Sequence, residues 1–326
     1  MKIRGLLILI VVAFAAYSGW WFIGKSAQIK GFNSWQASQQ DAGWTVAAKD
    51  MSVTGFPNRF DTRLSGLEVA PKGAPWSWRA EQFHLYALSY KPNHIIAAWP
   101  GEQSFQFGDL TSVLRSDLAR ASVIVKPSTS LALDRFQFEG ENIQISLNEA
   151  PSSVLGKVGL ALFAQPDTDA SYEAFIQLIE VTAPELLSPL VPAGDPRKEL
   201  PVTLRLDAKV ALAVPIDRYL AGAEIETLDI ISAEVKWGGQ HIEASGNLAS
   251  DATGYAAGSL ELSFSDWKAF LDILQHLKAV SPSTHAILLN GFGRTDKTDT
   301  TADIRLDFRN GQTYLGPVPL GRAPKF

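Results

Sequence analysis

Apolar and polar positions along this chain follow two different rules, and the change between them falls near residue 43. Before it lies an apolar run with no alternation. Residues 5–24 read GLLILIVVAFAAYSGWWFIG, twenty uncharged positions between Arg4 and Lys25. A helix needs about 20 such residues to cross the hydrocarbon core of a bilayer. The run is apolar all round and bracketed by charge, which speaks against a buried core helix. The helix is expected to continue as a stalk to about Asp41. Ala27, Phe32 and Trp35 lie roughly on one face for docking on the body, and Gly43 ends the helix.

After residue 43 the pattern is mostly strand. WTVAAKDMSV, FDTRLSGLEVA, EQFHLYALSY, ASVIVKP and NIQISLN are separated by Gly, Pro, Asn and Asp, as in an antiparallel sheet. Val202, Leu204, Leu206, Ala208, Val210 and Leu212 alternate with polar residues, so that strand has one apolar and one solvated face. Leu260, Leu262 and Phe264 repeat the pattern, as do Ala302, Ile304, Leu306 and Phe308. Two segments have helical spacing instead. Ser171 is placed to cap a helix carrying Tyr172, Phe175, Ile176 and Ile179, and a second helix starts near Asp266 with Trp267, Phe270, Leu271 and Leu274. The predicted fold is mainly β with a few helices: a transmembrane anchor and stalk, then an elongated, curved antiparallel sheet with short amphipathic helices packed on it. The predicted divisions are 1–43 (anchor and stalk), 44–165 (first β-rich half), 166–201 (helix and proline-rich connection) and 202–326 (second β-rich half).

Charge refines the placement of the anchor. Ala13-Phe14-Ala15 has the small-x-small form of a signal-peptidase site, but the apolar run continues through Trp20, Trp21, Phe22 and Ile23, so an uncleaved anchor is expected. Trp20 and Trp21 suit the membrane interface, where amphipathic rings sit at headgroup level. Lys2 and Arg4 on one side nearly balance Lys25 and Lys30 on the other. Length decides instead: a four-residue tail stays inside and the body is exported. The expected location is the inner (cytoplasmic) membrane, crossed once, with the body in the periplasm.

The net charge of the 326-residue chain is −5; residues 1–30 hold four cations and no acid, so the remainder carries −9. That excludes the basic stripe of a nucleic-acid binder. Cysteine is absent, which removes disulfides, thiolate catalysis and cysteine metal sites. The histidines at 84, 94, 241, 276 and 285 show no H-x-x-x-H or H-E-x-x-H spacing, so no metal and no cofactor is expected. His84 and His94 lie where a hairpin near residues 91–93 would bring them together, and hydrogen-bonded structural roles are expected of them. The segment 291–296, GFGRTD, lacks the strand-before and helix-after context of a nucleotide loop, and Asp296, Asp299 and Asp303 are too loosely spaced for a calcium loop; a solvated hairpin loop is expected. No G-x-S-x-G elbow occurs. No catalytic residue is therefore assigned.

Two motifs stand out. Gly55-Phe56-Pro57-Asn58-Arg59-Phe60 reads as a rigid turn, with Pro57 at its second position, Asn58 tolerating a left-handed conformation, and both phenylalanines reaching a core. Tyr90, Asn93, His94 and Trp99 form a polar-aromatic cluster, and Pro92 and Pro100 belong to the same motif. With GFPNRFDTRLSGLEV at 55–69, LSYKPNHIIAAWP at 88–100 and LGPVPLGRAP at 315–324, the chain resembles, over nearly its whole length, an alphaproteobacterial envelope family known as domain of unknown function 2125. Residues 237–267 are more loosely similar to AsmA-type envelope proteins, in which small-residue turns followed by alternating strands build long curved sheets. That resemblance implies an inner-membrane anchor and a periplasmic sheet with an apolar inner surface, although this chain is far shorter than the members that bridge the envelope. The first expectation is an envelope protein of unassigned activity that binds phospholipid or a polypeptide on an apolar sheet face. The alternatives are an assembly scaffold for envelope proteins and an enzyme acting on envelope glycans or lipids.

Overall fold

A computed structural model describes residues 3–148, 150, 153–166, 168, 170–219, 222–276, 280–292 and 301–326. It begins with one helix, α1 (Ile3–Asp41). The strands β1 (Thr45–Ala47), β2 (Asp50–Thr54), β3 (Arg59–Ala70), β4 (Trp76–Leu88), β5 (Lys91–Ala98), β6 (Gln103–Phe107), β7 (Leu110–Arg115), β8 (Leu118–Val125), β9 (Leu133–Leu147), β10 (Ser153–Ala164) and β11 (Ser171–Thr182) follow. A short helix α2 (Pro184–Leu187) leads to β12 (Val202–Leu212), β13 (Ile225–Trp237), β14 (Gln240–Ser250) and β15 (Ala256–Phe264). Then come helices α3 (Trp267–His276) and α4 (Pro282–Phe292), and strands β16 (Ala302–Arg309), β17 (Gln312–Leu315) and β18 (Val318–Arg322). The fold is thus mostly antiparallel sheet with few helices, as the alternation predicted.

The chain forms two compact units, residues 1–125 with 140–152, and residues 126–139 with 153–326. The segment 166–201 therefore does not divide the body as expected. It lies inside the second unit because β11 is paired on both sides, with β10 and with β12. The expected helix from Ser171 is strand β11. Tyr172, Ala174, Ile176 and Leu178 share one face, and a bulge at residues 179–180, with Glu180 at φ +54°, puts Ile179 out of step. That slip, together with an apolar Phe175 on the other face of the strand, produced the helical spacing. The helix expected near Asp266 is α3, capped by Asp266, whose Oδ1 accepts from Ala269 N at 3.1 Å.

In the first unit β3 is the central strand, paired with β1, β2 and β4, and β4 pairs in turn with β5 and β6. α1 lies against this sheet. It ends in a Schellman motif: Trp44 N donates to Gln39 O (2.9 Å), Gly43 N to Gln40 O (2.8 Å), and Gly43 has φ +85°. The docked face differs from the expected one. Ala27 and Trp35 are exposed; Trp21, Gln28, Phe32 and Gln36 face the sheet. Thr62 Oγ1 donates to Gln28 Oε1 at 3.0 Å, and Gln36 and Gln40 both donate to Val46 O at 2.9 Å. Apolar periodicity missed this face because glutamines make its contacts.

In the second unit β10 to β18 form a meander in which each strand pairs with the next, and β9 pairs with β10. The segment after α2 is pinned to β13, since Trp237 Nε1 donates to Arg197 O at 2.8 Å. Within it, Asp195 accepts from Arg197 N (2.8 Å) and from its guanidinium (2.6 Å), which lowers the Asp195 carboxyl from 3.8 to about 2. A folded value below the unfolded one adds stability that is complete above the ordinary carboxylate range and is lost as pH falls through about 2. In an NMR titration, Asp195 is expected to titrate near 2 and Arg197→Ala to return it toward 3.8; a normal midpoint in the unsubstituted chain refutes the pairing.

Candidate functional site

The second unit is a sheet with two chemically opposite faces. Directly paired residues lie on the same face of a sheet, so rows can be followed across strands. One row runs Leu160, Ile176, Leu206, Ala233, Ala244, Leu262 and Ile304, from β10 to β16. Two residues away along each strand, save for a bulge in β13, lies a second row: Leu162, Ala174, Ala208, Ile230, Gly246, Leu260, Leu306 and Leu315. On the other side of the first row Val158, Leu178, Leu204, Val235, Ile242, Phe264 and Ala302 form a third. From β12 to β16 the intervening positions are mostly polar and face the opposite way; Gln177, Arg205, Glu234, Glu243, Ser263 and Asp303 are paired in register, while on β10 and β11 Ala161, Phe163 and Phe175 also stand on that side.

The apolar face is closed at one end and partly open along the rest. At β15 and β16 it lies under α3 and α4, where Phe264, Trp267, Leu271, Val280 and Leu288 are buried together. Phe264 and Phe270 stack with ring centroids 4.6 Å apart. Between these helices and the sheet is a cavity of about 290 Å³, at the lower end of the size range of ligand pockets. Leu262, Ala302, Ile304, Leu306 and Leu315 line its floor and Trp267, Phe270 and Leu274 its roof. Its floor is therefore the end of the three apolar rows. Away from the helices every residue of the first row is half-buried, neither sealed in a core nor freely exposed. Helical spacing foretold α3 but not α4. Its signal was present in Ser281-Pro282, a proline at the first helical position followed by Ala286, Ile287, Leu288 and Leu289. Gly291 and Phe292 belong to α4 and not to a hairpin loop, whereas 293–300, with Asp296 and Asp299, lie outside the described residues.

On the polar face Glu234, His241 and Glu243 bring their ligand atoms within 4.8 Å of one another. Cations already serve this group. Lys236 Nζ lies 2.6 Å and Arg205 3.5 Å from Glu234, and the Lys236 hydrogen bond, with a smaller contribution from His241, holds the Glu234 carboxyl below its usual range. The arrangement is that of an ion-pair network on a solvated sheet surface.

The motif residues of the first unit are not part of this site. Gly55 O accepts from Arg59 N at 2.9 Å, the Phe56–Pro57 bond is cis, and the positive φ of the loop falls on Gly55 (+99°) and not on Asn58. The turn is wider than the four-residue one expected, and Pro57 does not occupy its second position. Phe60 is buried as foreseen, whereas Phe56 is 44% exposed and packs on α1. The supposed cluster is dispersed along β5. Tyr90 is 67% exposed in the 89–90 turn, and Pro92 is exposed at the start of β5. Asn93 donates to Val125 O (2.9 Å), and His94 bonds Ser122 Oγ (2.9 Å). Trp99, next to exposed Pro100, lies 5.7 Å from the ring of Phe83. His84 is paired with Ala98 at the other end of β5, bonds Tyr86 Oη (2.9 Å), and does not meet His94. Burial, and to a lesser degree Arg63, lowers the His84 pKa.

A family model described as an uncharacterized protein conserved in bacteria (DUF2125) matches residues 20–324. The chain belongs to that family. The match takes in the sheets of both units of this DUF2125 protein and α1 from Trp20 onward. No curated protein and no solved structure matches it. Among the described residues one helix of the DUF2125 chain, α1, is long and apolar enough to span a membrane.

Proposed function

We propose that this DUF2125 protein is a membrane-anchored envelope component, its body in the periplasm, that holds a lipid acyl chain along the apolar face of its second unit. Such a protein binds its ligand rather than transforming it. The supporting observation is that the rows under α3 and α4 continue without a polar break onto a face whose first row is half-buried throughout, though Ala208 and Val158 in the flanking rows are buried. A buried methylene contributes about 0.8 kcal/mol, so about eight of them outweigh the lower estimates of the cost of association. The anchor supports a lipid ligand over a soluble one, because it tethers the chain to a membrane.

The test is native mass spectrometry of the full chain after gentle extraction, with lipids identified from the same sample. Bound phospholipid or fatty acid is expected, and Leu206→Asp on the open row or Leu315→Trp in the cavity should remove most of it while circular dichroism stays unchanged. An unsubstituted chain that carries no lipid, or that carries a stoichiometric polypeptide instead, refutes this reading; the polypeptide would make the protein an assembly scaffold.

A further inference from the structure

α1 meets the body sooner than a freely spanning helix should. At about 1.5 Å per residue, a helix entering at Ile3 crosses about 30 Å of hydrocarbon only near Phe22. Contacts with the first unit begin earlier. The Phe14 and Phe56 rings meet edge-on at 6.2 Å, Tyr17 Oη lies 2.9 Å from Ser89 Oγ, and Trp21 Nε1 donates to Arg59 O at 2.8 Å. Trp21 is only 3% exposed, covered by Phe56 and Phe60. These residues cannot face lipid and pack on the body unless that part of the body shares their depth.

The chemistry of that end fits such a position. Three exposed aromatic rings gather there, Phe56, Tyr90 and Trp20, the last 47% exposed and stacked on Tyr17, beside exposed Asn58 and Pro92. Two cations lie among these rings. Arg59 is paired with Asp61 at 2.6 Å and Lys91 is exposed, where a long side chain can reach phosphates. The opposite end of β3 meets the far end of α1, where the Trp44 and Trp76 rings lie 6.4 Å apart. That is about twenty residues, or about 30 Å, further along the helix.

We propose that the 55–60 loop and the 89–90 turn are immersed in the interfacial layer of the same bilayer, with Phe56 about 6 Å inside the hydrocarbon boundary by helix rise and Tyr90 beside it. The first unit then stands on the membrane on an aromatic foot, its β3–β4 turn pointing away. This rests on the anchoring reading above, but not on lipid binding by the second unit.

The chain has no cysteine, so Phe56→Cys, Tyr90→Cys and Lys72→Cys each give one labelling site. Full chains carrying an environment-sensitive fluorophore are reconstituted in phosphatidylethanolamine–phosphatidylglycerol vesicles. Labels at 56 and 90 should show blue-shifted emission, a several-fold loss with lipids bearing a nitroxide near the headgroup, and protection from iodide. The label at 72 should show the reverse. Tyr90 is exposed, so its variant reports even if Phe56→Cys disturbs packing. If the labels at 56 and 90 meet iodide as readily as that at 72 while the chain withstands carbonate extraction, the foot is refuted and the anchor stands. If carbonate releases the chain, or its mass lacks residues 1–15, the anchor fails and the foot with it.

Discussion

Replacing Trp21 with alanine is expected to destabilise the first unit by about 3–5 kcal/mol, the range for removing a large buried aromatic side chain. The magnitude follows from what the ring does. It stacks on Phe60 at 5.7 Å with planes 19° apart, meets Phe56 edge-on at 5.4 Å, and is buried beside Val53. Its indole N–H also satisfies the carbonyl of Arg59. Trp21 thus docks the helix on the sheet, and Trp20, one position before it, is the exposed ring. Trp21→Phe keeps most of the packing and loses the hydrogen bond, for a cost of about 1–2 kcal/mol. Trp20→Ala should cost less than about 1 kcal/mol, as surface substitutions do. Guanidinium unfolding of the full chain in one detergent, followed by far-ultraviolet circular dichroism, ranks the three. Equal effects for Trp20→Ala and Trp21→Ala would mean that the helix is not docked.

The same residue shows where reading from sequence stops. A run apolar all round carries no sign of which side meets protein, so residues 5–24 announced a helix but not its docked stripe. The glutamines that continue the stripe toward Asp41 are polar and invisible to a hydrophobic pattern. β12 was legible because its two faces differ in chemistry, and each neighbour of Leu204, Leu206 and Ala208 across the sheet obeys the same rule. β11 was misread because Phe175 stands on the polar-face side and a bulge moves Ile179 out of alternation, and its pairing with β10 and β12 decides the outcome. The apolar site was legible only as separate strands. Its continuity is a matter of register, which hairpins set one pair at a time, and its cover needed α4, which was missed.

Register also explains two glycines whose substitution should be severe. Gly246 and Gly258 have φ +146° and +139°, a backbone region essentially restricted to glycine. They sit on adjacent strands, Gly246 opposite Leu260 and Gly258 opposite Leu248. A Cβ at Gly258 would lie 2.2 Å from Asn247 O, and one at Gly246 would lie 2.2 Å from Ser259 O. Both obstacles are backbone in a hydrogen-bonded ladder, so no side chain can swing aside. Gly258→Ala is therefore expected to cost about 3 kcal/mol or more, combining the conformational strain of about 1–3 kcal/mol with the displacement of β14. Gly254→Ala separates the two contributions. Its φ is +79° but nothing lies within 4 Å of the added carbon, so strain alone, about 1–2 kcal/mol, should appear. Denaturant unfolding measures both variants. A Gly258→Ala loss no larger than that of Gly254→Ala would show that β14 and β15 are not held this close, and would break the apolar rows where they pass from Gly246 to Leu260 and on toward the cavity.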